Sequence, residues 1–261
     1  MMISGKLKVN PIVRKSQQMS MSNNTLAKLA YETLQQGFGA FSLAHKEITS
    51  KVRRTLSTEP QLSATIGTQT QQELQKSFSQ LMAKDWEDAE RGVYPIKLLF
   101  DRPWADFLRI YPQIWLDYPL TWQRIQKKEV RDFAKNIDRQ DYPNYYTQNF
   151  HYQTDGYLSD TSAELYDLQV ELLFNGSADA MRRRILAPLK EGLAKFVDIP
   201  QSQQRILDVA CGTGLTLKSI RATISHAKLY GVDLSPTYLR KASKTLAKLP
   251  GKSPQLIQGA G

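Results

Sequence analysis

One cysteine, Cys211, and three histidines are all that the 261 residues offer of the softer metal ligands. A disulfide within the chain is therefore excluded, and so is any site built from several cysteines. His45, His151 and His226 are scattered, with neither a carboxylate nor a second histidine at ligand spacing, so no metal centre is expected. Long apolar runs are also missing. The longest, such as Ile96–Phe100, suit core packing and fall well short of the roughly 20 residues that cross a bilayer. Residues 1–22 lack any acid and carry bases at both ends without an apolar centre, which excludes a secretory signal there. They read as a basic flexible extension. The cytoplasm is the expected compartment, with organellar import as the alternative.

What the chain does have is positive charge, +10 in net, and 41% hydrophobic residues. That balance favours acidic partners, among them nucleic acid and anionic membrane surfaces. Lys and Arg, however, interleave with Glu and Asp almost throughout. The local excesses are the first 22 residues and Arg182-Arg183-Arg184. Solvated helix faces are the preferred reading, and nucleic acid is not expected as a partner. Peripheral contact with a membrane stays open, and the oligomeric state is not legible.

Four stretches differ in pattern. After the extension at 1–22, residues 23–93 read as a helical region. Leu26, Leu29, Ala30 and Leu34 recur at helical spacing, and Gly37 and Gly39 suggest two helices around a turn. Residues 57–72, rich in Thr, Ser and Gln, read as a linker. Residues 94–200 are dense in aromatics and punctuated by Pro95, Pro103, Pro112, Pro119 and Pro143, which predicts short accessory helices. Thr161-Ser162-Ala163-Glu164 has the spacing of a capping box, opening a helix to about Phe174. A second helix, capped by Ser177, runs to about Phe196 and is distorted by Pro188.

From residue 201 to 261 the pattern changes to strand, helix, strand, helix, strand. The strands are 205–210 and 228–232, both expected to be buried, and a third that begins at 255–258; helices begin at Leu215 and, after the cap Ser235, at Pro236. This is the grammar of a parallel sheet. The fold class is α/β, a mainly helical N-terminal region followed by a partial Rossmann-like sheet.

The turn after the first strand carries the chemistry. Gly212 and Gly214 allow positive φ and close approach of a ligand, and the next helix presents free N–H groups. A dinucleotide fingerprint needs a third glycine where Leu217 stands. Asp208, at the strand end, would also repel a pyrophosphate by roughly 1–4 kcal/mol. An acid suits a cationic cofactor instead. Asp233 closes the second strand some 20 residues on, where an acid takes ribose hydroxyls.

Ile206-Leu207-Asp208-Val209-Ala210-Cys211-Gly212-Thr213-Gly214 resembles the first motif of class I S-adenosylmethionine-dependent methyltransferases, and Gly231-Val232-Asp233-Leu234-Ser235 resembles their acidic loop. The upstream stretch 142–189 is similar to the region before that domain in a cyanobacterial and plastid group of the type 11 kind. The resemblance implies S-adenosylmethionine as cofactor, held by Asp208, Ala210, Cys211, Gly212, Thr213, Gly214, Asp233, Leu234, Gly259 and Ala260. It implies methyl transfer to a small acceptor, and the aromatic-rich accessory region would suit a lipophilic one; a non-catalytic basic binding protein and a nucleotide-dependent oxidoreductase are the alternative readings. Cys211 reads as a small loop residue, not a nucleophile. Tyr145, Tyr146, His151 and Tyr152 are placed to fold over the cleft, with His151 the candidate catalytic contact. Ala260 stands where the family often has an acid. Three strands are visible where the family has seven, so the expectation is a C-terminally truncated, inactive fragment whose sheet exposes apolar surface.

Overall fold

The computed structural model describes residues 11–56, 67–140 and 142–260. A mostly helical N-terminal region leads into a parallel sheet of three strands, ordered β1-β2-β3: β1 (Arg205–Val209), β2 (Lys228–Asp233) and β3 (Gln255–Gln258). Between them lie α7 (Leu215–Thr223) and α8 (Pro236–Leu246). The register pairs Asp208 with Gly231 and Val209 with Val232, so the carboxyl ends of β1 and β2 finish side by side. The Ser235 hydroxyl caps α8 by accepting from the Tyr238 N–H, with Pro236 at the first turn, as the local signals predict.

Alternation gives the sheet two unlike faces. Ile206, Leu229 and Leu256 pack on Ile220, Ala242 and Leu246 of the covering helices. The other face carries Leu207, Val209 and Ile257, all at least half exposed. The expectation that β1 and β2 are buried is corrected here, since α7 and α8 cover one face only, and the expected exposure of apolar sheet surface is seen on the other.

Upstream, α1 (Pro11–Leu56) starts within the stretch read as a flexible extension, of which residues 1–10 lie outside the described residues. It runs without a turn at Gly37 or Gly39. Gly39 is buried where α1 passes the Asn175 carbonyl, so its small size serves packing and not a break. Of the expected linker, residues 57–66 lie outside the described residues, and α2 (Thr68–Glu90) already begins at Thr68. The Gln-rich composition there is compatible with helix.

The prolines also behave differently from expectation. α3 (Trp104–Lys127) is one helix that contains Pro112 and Pro119. Both are exposed, and seven residues apart they share one side, so the carbonyls they deprive of donors face water. Apolar contacts of Phe107, Ile110 and Ile114 with Phe38, Leu165, Leu168 and Leu172 hold the opposite side straight. Pro188 does break its segment. The expected single helix is two, α5 (Ala178–Arg183) and α6 (Leu186–Leu193), parted at Arg184–Ile185, where Arg184 loses its donor to the proline.

α4 (Asp160–Leu173) is capped by Ser159, whose hydroxyl accepts from the Ser162 N–H at 3.1 Å. Thr161 is already inside the helix, and Glu164 reaches Lys241 of α8 at 2.7 Å, so the capping-box reading is corrected. Asn175 and Gly176, both at positive φ, end the helix as expected.

The triple arginine is not a solvated face, because each member pairs with an acid of the chain. Arg183 is buried and grips Asp85 of α2 through Nε (2.9 Å) and Nη2 (2.6 Å). Arg184 pairs with Asp88, and Arg182 with Asp179. Glu171 and Asp179 form a network with Arg102 and Arg182; burial and then Asp179 push the Glu171 carboxyl up to about 7.

Candidate functional site

The turn after β1 reverses the chain within five residues. Ala210, Gly212 and Gly214 all have positive φ, at 59°, 52° and 81°. Gly214 needs to be glycine twice over, because a Cβ there would also sit 3.1 Å from that of Ala242. Backbone bonds hold the turn: the Cys211 N–H donates to the Val232 carbonyl (3.0 Å) and the Gly214 N–H to the Cys211 carbonyl (2.9 Å).

Asp233 ties this turn to the next one. Its Oδ2 accepts from the Gly212 N–H at 2.8 Å and its Oδ1 from the Ser235 N–H at 2.9 Å. The Gly259 N–H donates to the Asp233 carbonyl at 3.0 Å, which brings the end of β3 to the same place. Leu234 is half-buried beside it, its carbonyl accepting from Gln258 Nε2 at 3.3 Å; Ala260 follows and is exposed.

Asp208 is different. Its Oδ2 is buried and has no hydrogen-bond partner among the described residues. Burial first, and the Asp233 charge second, push its carboxyl up to about 6. An ionised carboxylate next to a second one, with one oxygen unsolvated, is a site short of a cation. Cys211 answers the same field: burial, then Asp233 and Asp208, raise its thiol to about 12, which favours the protonated form at neutral pH.

β2 is close behind. A Cβ on Gly231 would lie 2.8 Å from both Cys211 Sγ and Leu217 Cδ1 and 3.0 Å from Leu256 Cδ2. Gly231→Ala is therefore expected to destabilise the chain by about 1–3 kcal/mol through overpacking. A thermal melt followed by circular dichroism that left Tm unchanged would contradict this packing.

Of the four residues expected to fold over the cleft, Tyr146 alone shows a tie to the turn. It is half-buried, and burial followed by the Asp233 charge raises its phenol. Tyr145 is exposed. Tyr152 is half-buried, its carbonyl taken by Arg124 Nε at 3.0 Å. His151 is exposed at φ 53°, and among the described residues no hydrogen bond joins it to the turn.

Two residues were missed by sequence reading. The Tyr157 carbonyl accepts from the Ser235 hydroxyl at 2.5 Å, and its ring stacks on Phe150 at 4.9 Å between centroids. Asp167 of α4, buried, accepts from the Thr213 hydroxyl at 2.7 Å and so braces the glycine turn from outside. A signal for it existed: Asp167 and Glu171, four apart, place like charges on one helix stripe, which is unfavourable without partners elsewhere. A polar cavity of about 470 Å³ lies near Leu215, between Arg109, Glu164 and Lys241, but neither Asp208 nor Asp233 lines it.

Residues 206–260 match the family model of a methyltransferase domain, which supports a class I S-adenosylmethionine-dependent methyltransferase with a Rossmann-like fold. The matched stretch holds β1 to β3, both carboxylates and the glycine turn. A search of curated proteins found no match to the chain.

Proposed function

We propose that the chain binds S-adenosylmethionine at the turn between β1 and β2 and serves methyl transfer to a small, lipophilic acceptor. The observation that carries this reading is Asp208, with its buried and unpartnered Oδ2 beside a second acid. A cationic group is what such an oxygen lacks, and the cofactor's ammonium supplies one. The turn itself leaves room: nothing lies within 4 Å of a Cβ built on Gly212.

In this reading Asp208 holds the ammonium, and the first N–H groups of α7 receive the carboxylate. Asp233 keeps lone pairs free for the ribose hydroxyls while its present bonds fix both turns. Leu234, Gly259 and Ala260 flank the base. The cofactor supplies a methyl group on a sulfonium; the chain orients it and keeps water from it. Tyr146, Phe150 and Tyr157 give the acceptor an apolar, aromatic approach, which favours a lipophilic one. The likeness of stretch 142–189 to the type 11 group belongs to the same proposal. The open sheet face at Leu207, Val209 and Ile257 needs cover, so turnover is proposed to require a further element on that face.

Isothermal titration of the chain with S-adenosylmethionine, and separately with NAD, tests the cofactor. Binding of the first without the second is expected. Binding of NAD alone would overturn the reading in favour of an oxidoreductase. Affinity for S-adenosylmethionine is expected to weaken as pH falls through about 6, because protonation removes the Asp208 charge.

A further inference from the structure

The helical region carries an apolar surface that the methyl-transfer reading does not use. On α3, Leu108 and Leu116 are 76% and 77% exposed, and Leu120 is about half exposed. With Pro112 and Pro119 they form the helix's outward face, opposite the buried Phe107, Ile110 and Ile114. On α1, Leu34, Phe41 and Ile48 recur at seven-residue spacing and are likewise exposed, next to the stripe of Tyr31, Phe38 and His45 that enters the core. Ring contacts set the two helices side by side and parallel: Phe38 meets Trp104, Phe41 meets Tyr111, and His45 meets Tyr118. Their apolar stripes therefore adjoin.

A groove of about 520 Å³ runs between them over Gly37, Phe38, Phe41, Trp104, Phe107 and Leu108. Tyr111 also borders it, but the Tyr111 hydroxyl is engaged with His45 Nδ1 at 3.1 Å. The groove offers almost nothing to a polar group and suits hydrocarbon.

Charge identifies the occupant. The two helices are parallel, so their basic last turns lie at the same end: Arg53 and Arg54 on α1, Arg124 and Lys127 on α3, followed by Lys128 and Arg131. Arg124 is buried on Asp132, but among the described residues no ion pair engages Arg54, Lys127, Lys128 or Arg131. On the two helices Glu47 is paired with Lys51 at 2.7 Å and Asp106 with Arg109 at 3.6 Å; at the basic end Glu129 stands exposed between Lys128 and Arg131, and the end stays net positive. The prolines argue against a dry protein partner. They leave the Leu108 and Trp115 carbonyls without their usual donors on the outward face, where a hydrated headgroup layer satisfies them and an apolar interface does not.

We propose that the joint outward face of α1 and α3 docks on an anionic lipid bilayer, with the exposed leucines entering the acyl boundary and the groove taking a lipid chain. This is independent of the cofactor reading. The basic end of the helix pair meets the headgroups, and α1 and α3 lie along the surface instead of crossing it.

Cosedimentation of the full chain with vesicles of phosphatidylcholine and phosphatidylglycerol in equal parts is the test. The chain is expected to bind these vesicles, and less as salt is raised. The double variant Leu108→Glu, Leu116→Glu, checked by circular dichroism for unchanged helix content, is expected to bind at least about tenfold more weakly. The variant Lys127→Gln, Lys128→Gln, Arg131→Gln leaves the apolar face intact and is expected to lose roughly fivefold per charge on the mixed vesicles. Failure of the chain to sediment with vesicles overturns the proposal. So does a folded leucine variant that binds as the parent does. A dimer, seen by light scattering, that the leucine variant dissolves while vesicle binding persists would assign the face to a second copy instead.

Discussion

Asp208→Asn is expected to weaken S-adenosylmethionine binding by roughly ten- to a hundredfold and, in the same protein, to raise the stability of the unliganded chain. Both effects come from one geometry. Asn keeps the shape but not the charge, so a charge-assisted bond to the cofactor's ammonium is lost, worth about 1.5–3 kcal/mol. Without cofactor, the wild-type carboxylate is held beside Asp233 with its buried Oδ2 unpartnered. The sign follows from linkage. The folded chain raises this carboxyl from 3.8 to about 6, so folding favours the protonated form. Its stabilising contribution is present below the ordinary carboxylate value and is lost as pH rises through about 6. At neutral pH the substitution relieves about 1 kcal/mol once solvent screening is allowed for. The gain should shrink as pH is lowered toward 4. Thermal melts at several pH values and isothermal titration check the two halves separately. An Asn variant that melts lower at pH 7, or that binds as the wild type does, would remove Asp208 from this role.

Asp85→Ala is expected to be the most damaging single change for folding, at about 3–5 kcal/mol. Asp85 is fully buried and accepts four hydrogen bonds from three residues. Arg183 donates to it twice, the Tyr31 hydroxyl reaches Oδ2 at 2.5 Å, and the Tyr94 hydroxyl reaches Oδ1 at 2.6 Å. Removing the carboxylate leaves a buried guanidinium and two hydroxyls without it. For a domain of ordinary marginal stability this is a large share of the total. Urea denaturation measures it. The double variant Asp85→Ala, Arg183→Met should recover part of the loss, because the stranded charge is then gone as well. Glu47→Ala, which breaks an exposed pair with Lys51, serves as the control and is expected to leave the midpoint unchanged. Equal losses for Asp85→Ala and the double variant would show that burial of the arginine charge is not the cause.

The sheet was the most legible part of the chain because its signals are local. Short apolar runs at 205–210, 228–232 and 255–258 are bounded by Gly, Pro and Ser, and the strands and helices fall within a residue or two of those limits apart from the end of α8. The helical region was less so. Pro112 and Pro119 argue for a break when read alone, yet α3 is continuous because both prolines meet water while its other side is packed. Gly37 and Gly39 argue for a turn, and α1 passes through both. In each case packing outweighs local preference. His151 and Tyr146 lie five residues apart in one aromatic segment, and composition could not tell which one reaches the acidic loop; the fold leaves His151 exposed and half-buries Tyr146 within the field of Asp233.

The sequence by itself determined the glycine turn, the acids at two strand ends and the parallel strand order, since positive φ, strand-end position and hydrophobic period are properties of adjacent residues. Only the tertiary structure decided which charges are spent. Asp233 is committed to Gly212 and Ser235, Arg183 finds Asp85 across 98 residues, and Asp167 finds Thr213 across 46. Asp208 is left with an oxygen that nothing among the described residues satisfies. Such pairings depend on which helix packs where, and no local pattern carries that information. It is why an acidic strand end becomes a site only once the fold has used every other partner nearby.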